Sequence, residues 1–184
     1  IPLSLGGMEH SLQIFLVLLF VDAFMSYVFN PSSKTSIVSL LCVSPFMVFV
    51  RYEDFALVFS VAVVILLYFK NWKLSLGLIL AGFSLVTVFG LWSMFVLHLG
   101  FFPESIMAKS IIGDRITLSL ITAVFNNFKH NFSRIHIVGM YLLNLFVLFN
   151  SLLSSRKQLF LLSAVFVSTL LIHLAFAKVG WLYR

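Results

Sequence analysis

RYEDFALVFSVAVVILLYFKNWK, residues 51–73, decides the fold. It opens on three charges in four residues, Arg51, Glu53 and Asp54, then runs apolar to Phe69. It closes on Lys70, Asn71, Trp72 and Lys73, two cations and an aromatic residue with no acid. Tryptophan and basic residues at the end of an apolar run are the usual anchors at a membrane interface. An apolar run of this length, with different charges at its two ends, predicts a helix crossing a bilayer between two unlike sides.

Working outward, the same pattern recurs. Apolar spans fall at about 11–29, 36–50, 53–69, 74–99, 135–152 and 158–177, each about 15 to 26 residues long. A crossing helix needs roughly 20 residues. The second span is the shortest and is interrupted by Pro45. The connections alternate sides. One side holds Lys34, Lys70, Lys73, Arg156 and Lys157 and no acid. The other holds Glu9, Glu53, Asp54, Glu104 and Asp114, mixed with Arg51, Lys109, Arg115, Lys129, Arg134, Lys178 and Arg184. Short basic loops mark the cytoplasmic side. Carboxylates are expensive in lipid and are kept where water or substrate needs them, so the acid-bearing side is the expected working face.

Composition places the chain in the membrane class. Of its 184 residues, 61% are hydrophobic and 10% charged, with 22 phenylalanines. A soluble domain is about 45–50% apolar and about 25% charged. The expected fold is therefore all-α: a polytopic membrane helix bundle of about six transmembrane helices, forming a single domain over 1–184. Its long external connection, from Gly100 to about Arg134, turns at Pro103, and its apolar middle, about 115–127, suits a helix lying in the interface. The net charge of +6 comes from basic residues scattered among loops, which fits contact with anionic membrane lipids and gives no nucleic-acid surface. The lone Cys42 lies within a span and excludes an intrachain disulfide. Because the chain starts Ile1-Pro2 and stops at Trp181-Leu182-Tyr183-Arg184 just past a span, it is expected to be a central piece of a larger polytopic protein.

Three clusters on the working face carry candidate chemistry. Glu9 and His10 follow Gly6-Gly7 at the outer end of span one, where a carboxylate near a helix N-terminus is favoured by the dipole. Their plainer reading is a capping acid beside an interfacial histidine. Arg51, Glu53 and Asp54 lie in one turn, where they either meet a ligand or neutralise one another. Lys109, six residues past Pro103, either reaches a phosphate at head-group depth or merely snorkels to water. His10, His98, His130, His136 and His173 all map toward the working side, but no two sit at close ligand spacing. Metal ligation needs three or four converging side chains, so no metal site is assigned and a divalent ion stays only an alternative. Asp22, within span one, reads as a protonated or hydrogen-bonded packing residue near the inner leaflet in preference to a transporter's relay carboxylate.

Taken in order, these segments resemble a known family. Leu5-Gly6-Gly7-Met8-Glu9-His10 ahead of a span, the arginine-acid turn, and Phe102-Pro103-Glu104-Ser105 followed by Met107-Ala108-Lys109 look like the middle of a bacterial GT-C membrane glycosyltransferase. Such enzymes carry a Ser-Gly-Met/Leu-Glu segment, an Arg-Pro-Asp/Glu segment and a Phe-Pro-Asn-Thr-x-x-Ala-Lys segment. Gly7, Met8 and Glu9 match the first. Arg51 and Glu53 match the second, with Tyr52 for the proline. Phe102, Pro103, Ala108 and Lys109 match the third, with Glu104 and Ser105 for the Asn-Thr pair.

The resemblance implies a multi-pass enzyme of the bacterial inner (plasma) membrane. It would move a sugar from a polyprenyl-phosphate-linked donor to a cell-envelope glycan or lipid acceptor on the periplasmic face. Lys109 and Arg51 would then hold phosphate, while Glu9, His10, Glu53 and Asp54 would contact the sugar or acceptor. No cofactor is implied. The general base that takes the acceptor's proton normally lies in an acid-rich first external loop. No such pair is present, so the catalytic residue is unassigned and expected upstream of Ile1. The alternative function is a membrane transporter or channel module with an external polar site, although no span shows the matched Gly/Pro breaks common in inverted repeats.

The acid-free basic loops fix an orientation that labelling can check. In membrane vesicles, a cysteine at Ser33 or Asn71 should react only from the cytoplasmic side and one at Ser105 only from outside. Cytoplasmic labelling at 105 contradicts the sidedness.

Overall fold

A computed structural model describes residues 2–101, 122, 124–126, 128–129, 132 and 135–176. The side chains of 2–9, 135–137 and 176 lie outside that description. Among the described residues six long helices follow in order: α1 (Pro2–Phe29), α2 (Lys34–Val50), α3 (Phe55–Phe69), α4 (Trp72–Val96), α5 (Ile135–Leu153) and α6 (Lys157–Phe176). A 3-10 turn over Tyr52–Asp54 joins α2 to α3. The described residues include no strand. Lipid leaves backbone groups no water to bond, and a helix satisfies them within itself.

Among the described residues four stretches are long and apolar enough to cross a membrane: His10–Phe29, Tyr52–Phe69, Trp72–Val96 and Lys157–Ala175. Lys34–Val50 and Val138–Leu153 are apolar but shorter. At 1.5 Å per residue the 17 residues of α2 reach about 25 Å, short of a hydrocarbon core of about 30 Å. The helix class is therefore as expected, and four of the six expected spans have full length. Residues 122, 124–126, 128–129 and 132 are helical. The rest of the expected interfacial helix lies outside the described residues, as do Glu104 and Lys109.

The chain forms two compact units, Ile1–Phe89 and Gly90–Arg184. In the first, α1 packs along α2. Phe20, Phe24 and Tyr27, on one stripe of α1, are almost fully buried. Tyr27 meets Phe69 edge-on, with ring centroids 5.1 Å apart, and its hydroxyl accepts from Asn71 Nδ2 at 3.3 Å. Asn71 also caps α4, its Oδ1 accepting from Leu74 N. Where α4 meets α2 and α3, a Cβ on Gly77 would lie 3.4 Å from Leu41 and one on Gly82 3.5 Å from Val58, both ordinary van der Waals distances.

Pro45 does not break α2. Lacking an N–H, it leaves the Leu41 carbonyl without its helical donor. The Ser44 hydroxyl, fully buried, donates to that carbonyl at 3.3 Å. A neighbouring hydroxyl re-satisfying a freed backbone group is what allows proline within an apolar helix.

In the second unit α5 packs on α6. Their connection reverses at Ser155, in the left-handed region with φ 54°, and Arg156 N donates back to Ser151 O at 2.9 Å. His98 ends α4 in the same way, with φ 55° and Leu99 N bonded to Ser93 O at 3.1 Å. This cap folds residues 100–101 onto α4, where Ser93 Oγ donates to Gly100 O. A Cβ on Gly90 would fall 2.8 Å from the Phe101 carbonyl oxygen and 2.9 Å from its ring. Nothing lies within 4 Å of a Cβ on Gly139 of α5.

That contrast gives a paired test. Alanine gains up to about 1 kcal/mol over glycine in a helix, whereas overpacking costs about 1–3 kcal/mol. Gly139→Ala should raise the unfolding midpoint in detergent and Gly90→Ala should lower it. A rise in both shows that the fold-back at 100–101 does not rest on Gly90.

Candidate functional site

One end of the first unit gathers polar side chains from three elements. Arg51 is the C-cap of α2, in an extended conformation with φ −144° and ψ 112°. That conformation ends the helix and turns the chain sharply into Tyr52–Asp54, where Asp54 N donates to Arg51 O at 2.9 Å. The turn brings Glu53 against Arg51, with Oε2 at 2.9 Å from Nε. Both side chains of this ion pair are about a quarter exposed, at 25% and 28%. At such exposure a pair adds only about 0–1 kcal/mol, so its effect is mainly to orient the guanidinium.

The orientation matters because Arg51 Nη1 reaches across to α1. It donates to Gln13 Oε1 at 3.0 Å and lies 3.4 Å from His10 Nδ1. His10 and Gln13 are three residues apart and so share a face of α1. The Gln13 amide is used twice, since its Nε2 donates to Asp54 Oδ1 at 3.0 Å. An Arg51–Gln13–Asp54 chain therefore closes a loop from α2 through α1 to the start of α3. Asp54 occupies the N-cap position of α3 yet makes no capping bond there. Its side chain, only 9% exposed, is given to α1 instead.

Three atoms of this turn remain uncommitted among the described residues. Arg51 Nη2 makes no bond to them, and Tyr52 Oη and Asp54 Oδ2 are buried with no hydrogen-bond partner there. One amide bond adds about 1–3 kcal/mol, whereas an uncompensated buried carboxylate costs several. Asp54 is thus an under-satisfied acceptor held inside the unit, while the partly exposed Arg51 keeps a spare donor that a hydroxyl could take. With both carboxyls ionised, the formal charge of Arg51, Glu53 and Asp54 together is negative. That balance disfavours a phosphate.

Of the sequence candidates, His10, Arg51, Glu53 and Asp54 come together. Glu9 lies in α1 one turn before Gln13, with its side chain outside the described part, and Lys109 lies outside the described residues. Gln13 was missed because it was read as part of an apolar span. Its signal was its place one turn after His10, at the end of the span that faces the acid-bearing loop. Asp22 is not packed as expected: it is exposed on α1. Among the described residues no group of three or more His, Cys, Asp or Glu side chains could hold a metal ion. Comparison with known proteins finds no matching family model, no matching curated protein and no matching solved structure.

Proposed function

We propose that this chain is part of a multi-pass glycosyltransferase of the bacterial inner membrane. It would pass a sugar from a polyprenyl-phosphate carrier to a cell-envelope glycan or lipid acceptor on the periplasmic face. His10, Gln13, Arg51, Glu53 and Asp54 would hold hydroxyls of the sugar or acceptor. The carrier's phosphate would go to other cations, Lys109 first among them. The observation that carries this reading is the shared arginine: Arg51 joins the Gly-Gly-Met-Glu-His segment of α1 to the Arg-x-Glu turn. Those are two of the segments through which the sequence resembles such enzymes. A general base supplied from elsewhere in the enzyme would take the acceptor's proton.

A second reading rests on the buried, unpartnered Asp54 Oδ2. A carboxylate in that state at the end of a span also suits proton-coupled transport.

Mutation of the turn separates the two. Arg51→Lys keeps the charge but loses the planar fork that bonds Gln13, His10 and Glu53 at once. Misplacing a bound group by about 1 Å can cost on the order of a hundredfold in rate. With protein levels matched in cells, Arg51→Lys and Glu53→Gln should each deplete the modified envelope glycan, measured by mass spectrometry, and leave proton flux into vesicles unchanged. Unaltered glycan in both rejects the transferase reading, and lost proton flux with unaltered glycan selects the transporter.

A further inference from the structure

α1 has two unlike faces. Phe20, Phe24 and Tyr27 are each at most 1% exposed and face the first unit's core. Phe15, Leu18, Asp22, Ser26 and Phe29 recur at helical spacing on the other side, and all five are exposed. Asp22 lies 12 residues from His10 and seven from Phe29, near the middle of the His10–Phe29 span. At 1.5 Å per residue that puts it about 10 Å from the nearer end, too far for an aspartate to reach water. Asp22 makes no hydrogen bond or ion pair with the described residues.

An acid facing lipid at mid-membrane costs about 2.5–3.5 kcal/mol by insertion scales, and such residues pair with a partner when they persist. Charge says what the partner is. The described spans of this chain hold no lysine or arginine at comparable depth: Lys34, Lys70, Lys73, Arg156 and Lys157 all sit at helix ends or in turns. A second copy would therefore bring like charge to Asp22, not its complement. We infer that the outward face of α1 is a docking surface for a transmembrane helix that carries lysine or arginine at mid-membrane depth, paired to Asp22. Ser26, one turn on, offers a further hydroxyl to the same helix, and Phe15, Leu18 and Phe29 offer apolar contact along it.

The test uses synthetic leucine-based transmembrane peptides, one with a central lysine and one without, each labelled with an acceptor dye. They are added to liposomes holding the full chain labelled on a cysteine at Ser33. Energy transfer should report binding of the lysine peptide roughly tenfold tighter than the leucine peptide, in the range of polar contacts between membrane helices. Asp22→Leu should remove that preference and Asp22→Glu should keep it. Asp22→Leu takes a charge out of lipid, so it should insert at least as well as the parent, which a protease-protection assay on the same liposomes verifies. Equal binding of the two peptides, or a preference that survives Asp22→Leu, overturns the inference. So does copper-driven disulfide formation between two chains carrying Ser26→Cys that depends on Asp22, because self-association would then occupy the face.

Discussion

A single guanidinium holds the polar end of the first unit together. Arg51 donates to Gln13 on α1 and pairs with Glu53 in its own turn, and Gln13 passes the connection on to Asp54. In water such bonds would be minor beside apolar burial. In lipid, apolar surfaces gain little from meeting one another, so interhelical hydrogen bonds and close approach carry association. The Arg51–Gln13–Asp54 chain therefore serves both as the clamp on three elements and as the candidate site. Any ligand that takes up Arg51 Nη2 acts directly on the clamp.

The same solvent explains several other polar residues in the spans. Ser60 donates to Ala56 O at 2.8 Å, Thr169 to Val165 O at 2.8 Å, and Asn144 to Met140 O at 2.9 Å. Each closes its hydrogen bond within its own helix, so none is left bare to lipid. Ser44 does more, since it repairs the carbonyl freed by Pro45 and so lets α2 stay whole. Against that background Asp22 stands out as an acid with no such bond to the described residues, exposed on α1.

Much of this was legible in the sequence because lipid imposes long apolar runs with charged ends. The run from 53–69 appears as a helix at nearly those bounds, the run from 11–29 forms the later part of an α1 that already begins at Pro2, and the turn at 51–54 is where its charges put it. Pro45 in the second span suggested a weak element, and only the position of Ser44 relative to Leu41 shows why it holds. The site was half legible. Arg51, Glu53 and Asp54 are neighbours in sequence, so their meeting needs only a turn. Gln13 meets them across 38 residues or more, a distance set by how α1 packs on α2, which span lengths do not specify. Asp22 failed as a packing expectation for a related reason: depth in a helix can be read from sequence, but the direction a face points depends on its neighbours.

The most direct test of the clamp is a double-mutant cycle between Gln13 and Arg51, read from unfolding in mixed micelles. Gln13→Leu, Arg51→Leu and the double variant are compared with the parent. Shared hydrogen bonding predicts a coupling of about 0.5–2 kcal/mol, because each single change already breaks the chain of bonds that the second would remove. Effects that add to within about 0.3 kcal/mol would show that Gln13 and Arg51 act independently, and would contradict the account.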